Sequence, residues 1–122
     1  MQVGGILETA LYVSDIKRTA EFYRRLFGFP TLLESERLIA LDVSGRSVLL
    51  LFPEGSTTEP FPVPGGGGVI PPHGGSRGGY HFAFSIDSAD VASWRVRERG
   101  VRATLGAIID GGTHVTPAGE PG

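Results

Sequence analysis

From Ile6 to Val13 the chain alternates. Ile6, Glu8, Ala10 and Tyr12 fall on one side of an extended backbone, and Leu7, Thr9, Leu11 and Val13 on the other. A period of two in strand-forming residues predicts a β-strand. The period then lengthens. Ile16, Ala20, Tyr23, Leu26 and Phe27 recur at helical spacing, with Lys17, Arg18, Glu21, Arg24 and Arg25 filling most of the remaining surface. This predicts an amphipathic helix. Ser14 or Asp15 supplies a side-chain oxygen to cap its first amides, and Gly28 suits the left-handed position that ends it. Three short strands are predicted next, at Thr31–Glu34, Leu38–Val43 and Ser47–Phe52, with Ser44-Gly45 as a tight turn between the last two.

The second half opens in the same way. Tyr80–Ile86 reads as a strand, with His81, Ala83 and Ser85 on one face and Tyr80, Phe82, Phe84 and Ile86 on the other. Asp87 or Ser88 caps a predicted helix to about Arg99, with Val91, Trp94 and Glu98 on one side and Gly100 closing it. Glu8 and His81 lie 73 positions apart, and Gly28 and Gly100 lie 72 apart. This spacing predicts an internal structural repeat. The repeat then degrades. Val101–Leu105 and Ala107–Ile109 read as strands and Thr113–Thr116 marginally so, while residues 117–122 are turn material. The last strand of the second unit is expected to be missing.

Composition changes this picture in one place. Nineteen of 122 residues are glycine, about twice the usual share of roughly 7%. Eight lie between Gly65 and Gly79, and six of the nine prolines between Pro53 and Pro72. The chain is therefore expected to be one domain with module one at about 6–52, a Gly/Pro-rich loop at 53–79 and module two at about 80–118. Gly65–Gly68 is not a phosphate loop, because no Lys-Ser/Thr follows and no helix starts behind it; it reads as a lid or linker. The formal charge is −2, with no basic run, which argues against nucleic-acid binding. There is no cysteine, so disulfides, thiol catalysis and cysteine zinc sites are excluded. The N-terminal stretch reads as neither a signal peptide nor a membrane span, and a cytoplasmic protein is the expectation.

A family resemblance emerges from specific segments. Residues 6–15 (ILETALYVSD), then Glu21-Phe22-Tyr23 and Leu26-Phe27-Gly28-Phe29, resemble the vicinal oxygen chelate superfamily of glyoxalases, bleomycin-resistance proteins and extradiol dioxygenases. Ser47–Phe52 resembles its fourth strand. Pro71-Pro72-His73-Gly74 and Tyr80-His81-Phe82-Ala83-Phe84 resemble the entry to its second module. The resemblance covers about residues 6–105. It implies an α+β fold of two βαβββ modules curled around a cavity, the second here lacking its last strand. It also implies a divalent metal ion held on inward strand faces, with Glu8 as ligand or catalytic base and His81 as ligand. Carboxylate and imidazole suit such metals. Leu50 stands at the ligand position of the fourth strand, and the eighth strand that carries a closing glutamate has no counterpart. Glu120, His73 and His114 are the substitute donors to consider.

Plain alternatives stand beside these roles. Glu8 reads equally as an exposed strand-start residue paired with an arginine, His81 as a half-buried histidine satisfied by a neighbour, and His73 as a solvated loop residue rather than a lid over a ligand. His114 reads as a polar strand residue. Tyr23 and Trp94 read as core or interface. Tyr12, Leu50, Phe52, His73 and Ser85 are the expected pocket, with Phe61 as a further wall. Three functions remain open. One is a metal-dependent enzyme, of lyase, isomerase or dioxygenase type, acting on a small vicinal-oxygen substrate. Another is a metal-free drug- or small-molecule-binding protein of the bleomycin-resistance type. The third is a truncated, inactive relative. The expected partners are a small-molecule ligand or substrate and a second copy in a homodimer, because a missing strand leaves a sheet edge open.

Overall fold

Leu11 and Val13 are buried and Glu8 is exposed, as the alternation requires. They lie in β1 (Glu8–Val13) of a computed structural model that describes residues 1–63, 65–74 and 82–105. Helix α1 (Ile16–Phe27) begins at Asp15, whose carboxylate accepts from the Arg18 amide at 3.1 Å. It ends at Gly28, where φ of 73° lets the amide donate to the Arg24 carbonyl at 2.8 Å. Strands β2 (Thr31–Glu34), β3 (Ile39–Val43) and β4 (Ser47–Pro53) follow. Ser44 and Gly45 both take positive φ in a tight turn that the Arg46 amide closes on the Val43 carbonyl at 3.1 Å, with Val43 paired to Ser47 across it.

The four strands form one sheet in the order β1-β4-β3-β2, with β1 parallel to β4 and the other pairs antiparallel. One face carries Leu11, Val13, Ile39, Leu41, Leu49 and Leu51, which pack with Ile16, Ala20, Tyr23 and Leu26 of α1. Phe22 was not on the predicted stripe, yet it has no exposed surface. The apolar arc of α1 is wider than a single stripe because a second helix packs beside it. The Arg102 guanidinium of that helix lies 5.2 Å from the Phe22 ring centroid.

The Gly/Pro-rich segment contains an arm. β5 (Phe61–Pro62) and β6 (Val69–Ile70) pair antiparallel, and the Val63 amide donates to the Gly68 carbonyl at 3.0 Å. Gly65 to Gly68 all hold positive φ at its tip, which residues with a Cβ rarely adopt. At the arm's base the His73 amide donates to the Thr57 carbonyl at 2.9 Å, and the Thr57 hydroxyl donates back to the His73 carbonyl. Arg37 ties the arm to the β2–β3 turn. Its guanidinium sits 4.1 Å from the Phe61 ring centroid and donates to the Ser56 carbonyl at 3.2 Å.

The second module departs from expectation. Phe82 and Phe84 are half-buried and Ala83 and Ser85 exposed, so the expected facing holds. Phe82–Ser85 is nevertheless not a strand; only Ile86 makes an isolated bridge. A strand needs a ladder, and no strand among the described residues runs beside this stretch. A 3-10 turn (Ser88–Asp90), capped by the Asp87 carboxylate on the Ala89 amide at 2.9 Å, leads into α2 (Val91–Leu105). Gly100 does not close α2, and Val101–Leu105 is helix rather than strand. Val101 packs against the core. Glu98 and Arg102 pair at 3.1 Å across the glycine, the i,i+4 contact that supports a helix. Arg97 donates from both Nε (3.2 Å) and Nη2 (2.9 Å) to the Arg25 carbonyl, satisfying an otherwise open group at the end of α1. The fold is therefore α+β, and among the described residues one full βαβββ module is followed by helix α2 without a second sheet beside it. Tyr80, His81 and the stretches expected at 107–109 and 113–122 lie outside the described residues.

Gly100 has open space where a Cβ would stand, and its φ is not positive. Gly100→Ala is expected to raise stability by about 0.5–1 kcal/mol, the helix-interior cost of glycine. A lower urea midpoint in the variant would show that α2 does end at this position.

Candidate functional site

The sheet face turned away from α1 follows from strand register. Glu8 and Asp42 flank Val48, Ala10 and Ala40 flank Leu50, and Tyr12 lies beside Phe52. The face is thus acidic at one end, small and apolar in the middle, and aromatic at the other end.

The aromatic end is ordered by the arm. Tyr12 stacks on Phe52 with ring centroids 5.7 Å apart and planes 17° apart. His73 stands edge-on to Phe52 at 4.9 Å and tilts against Tyr12 at 5.5 Å. The Tyr12 hydroxyl and His73 Nδ1 are hydrogen bonded at 2.5 Å. Tyr12 is only 9% exposed as a result. Gly74 lies so close to the Tyr12 ring that a Cβ would come within 3.0 Å of it.

Three of the expected pocket residues, Tyr12, Phe52 and His73, are therefore brought together, with Leu50 half-buried one pleat away. Glu8 shares their face but stands four residues before Tyr12, about 13 Å along the strand. Ser85 is not with them; it is exposed and lines a separate cleft on the helix side of the sheet. Phe61 is engaged by Arg37 on the arm. His81, His114 and Glu120 lie outside the described residues. Asp42 was missed. The alternation Ala40, Leu41, Asp42 in β3 carries its signal, since buried Leu41 fixes which way Asp42 points.

The described residues do not fit a divalent metal. Glu8 and Asp42 flank Val48 on separate strands, about 10 Å apart at two strand spacings. Leu50 offers no donor. No group of three or more metal-ligating side chains converges among the described residues, whereas protein metal sites use three or four.

Charge is segregated as well. Helices α1 and α2 hold eight of the eleven basic residues and two of the thirteen acidic ones. The rest of the chain is correspondingly acidic, including both carboxylates on the open face. No helix among the described residues is long and apolar enough to cross a membrane.

Comparison with known proteins gives the relationship. A crystal structure of lactoylglutathione lyase from Agrobacterium tumefaciens is 32% identical, over 84% of this chain and 73% of that one, with a TM-score of 0.68. An integron cassette protein of V. Cholerae (19% identical, 82% of this chain and 69% of that one, TM-score 0.59) shares the fold. So does the fosfomycin resistance protein FosX of Listeria monocytogenes (16% identical, 82% and 66%, TM-score 0.56). A mutant of FosX has been seen complexed with Mn(II) and 1S,2S-dihydroxypropylphosphonic acid. No curated protein matches the chain. The family model of the Glyoxalase/Bleomycin resistance protein/Dioxygenase superfamily matches residues 5–116, and the chain belongs to that superfamily.

Proposed function

We propose that this chain is a metal-independent small-molecule-binding member of the superfamily, and that its ligand is an aromatic cation lying along the open face. The observation that carries the reading is the hydrogen-bonded Tyr12–His73 pair over Phe52, set on the same face as Glu8 and Asp42. The half-buried Phe52 and His73 rings offer stacking surface with a polar edge, and buried Tyr12 holds His73 in place behind them. A cation gains from ring faces and from carboxylates that a sheet holds in place. Ala10, Ala40 and Leu50 leave a low apolar floor between the two ends.

The test is a fluorescence-anisotropy titration with acridine orange, a planar cation, in excess EDTA. Saturable binding is expected, weakened about tenfold by Phe52→Ala and several-fold by Glu8→Gln with Asp42→Asn. Binding that needs added Mn(II) or Zn(II), or that ignores Phe52→Ala, overturns the reading. The first of those outcomes favours the metal-dependent lyase reading, which draws on the 32% identity to lactoylglutathione lyase and on Glu8. A homodimer belongs to the same proposal, because β1 is the edge of its sheet among the described residues and the open face needs a facing wall. Light scattering that finds only monomer at micromolar concentration removes that part.

A further inference from the structure

A second cleft, of about 540 Å³, opens on the other side of the sheet. Phe27, Phe29, Phe84 and Trp94 form its apolar wall, and Val43 and Arg46 come from the β3–β4 turn. Val43 and the four rings pack onto the helix-side core, so the sheet separates this cleft from Tyr12 and Phe52. The wall is ordered: Phe27 stacks on Phe29 at 5.0 Å, and Phe84 meets Phe27 edge-on at 4.8 Å. Trp94 tilts against Phe27 at 5.4 Å. Among the described residues, Arg37 and Arg46 are the basic residues outside the helices. Arg46 lines the mouth and has no carboxylate partner among the described residues.

We propose that this cleft binds a small aromatic carboxylate. The ring would enter among the four aromatic side chains, and the carboxylate would meet the Arg46 guanidinium. The volume falls in the range of small-molecule sites, roughly 300–1,000 Å³, and the mix of an apolar wall with a few polar groups is their usual composition. An arginine with no carboxylate partner among the described residues selects an anion, and its planar fork matches a carboxylate with two parallel hydrogen bonds. Ser47 and Ser85 at the wall add hydroxyl donors. The site is independent of the open-face reading, which calls for a cation on the opposite side of the sheet.

Trp94 is the only tryptophan in the chain, so intrinsic fluorescence reports on this cleft. The probe is 3-phenylpropionate, with 3-phenylpropionamide as the uncharged control, each titrated into the full chain with and without saturating acridine orange. A saturable change in Trp94 emission is expected with the acid. Arg46→Gln should weaken the acid about tenfold and leave the amide unchanged. Arg46→Lys should recover only part of the loss. Equal affinity for acid and amide, or competition by acridine orange, overturns the proposal. So does a Trp94 signal that follows protein concentration without ligand, which would place a second copy in the cleft.

Discussion

Phe22→Ala is expected to lower stability by about 3–5 kcal/mol, the range for truncating a fully buried phenylalanine. Phe22 has no exposed surface and belongs to the cluster that joins β1, β3 and β4 to α1. Its ring also carries the Arg102 guanidinium at 5.2 Å, so truncation removes a contact between the two helices along with core volume. Single domains are stable by only about 5–15 kcal/mol, so the loss is a large fraction of the whole. Urea unfolding measures it as a fall in midpoint at an unchanged slope. Phe22→Leu, which retains much of the volume, should cost less than half as much. Val96→Ala, on the exposed side of α2 at 62% exposure, should stay within about 0.5 kcal/mol. A Phe22→Ala loss no larger than the Val96→Ala loss would mean that α2 does not cover α1 in solution.

Phe22 also marks how far sequence reading reaches. What depends on neighbouring residues was legible. The alternation of β1, the Asp15 cap, the Gly28 stop and the Ser44-Gly45 turn are settled by local chemistry, and the structure has them where the pattern puts them. What depends on a distant partner was not. Gly100 carries a stop signal as plain as that of Gly28. It is overridden because Val101 packs on the core and Glu98 reaches Arg102 across it. Phe82–Ser85 keeps the facing of a strand without a ladder to make it one.

The candidate site divides along the same line. Strand parity puts Glu8, Tyr12, Leu50 and Phe52 on one face from sequence alone. Parity is blind to His73, whose position comes from a hairpin closed sixteen residues away at Thr57. It also misassigns Ser85 to that face, because the face of an unpaired segment is not fixed by the sheet beside it.

Gly74→Ala tests whether His73 is locked onto Tyr12. Gly74 has φ of 68°, and a Cβ there would press into the Tyr12 ring from closer than 3.0 Å. Two costs follow. Placing alanine in the left-handed region costs about 1–2 kcal/mol. The contact adds more, because Tyr12 cannot withdraw: Phe52 stacks on one side of it and His73 holds its hydroxyl. The chain on the Gly74 side must yield instead, and the Tyr12–His73 hydrogen bond breaks with it. The expected loss is about 2–4 kcal/mol, with a changed tyrosine near-UV signal and a displaced His73 ring resonance. Affinity for acridine orange should fall alongside if His73 is part of the platform. Gly66→Ala separates the two costs, because Gly66 holds φ of 90° with open space around it. It therefore carries the backbone cost alone and should leave Tyr12 and His73 signals unchanged. Equal losses in the two variants, with the His73 resonance unmoved in both, would show that the arm does not rest on Tyr12, and the open face would lose its aromatic end as a binding platform.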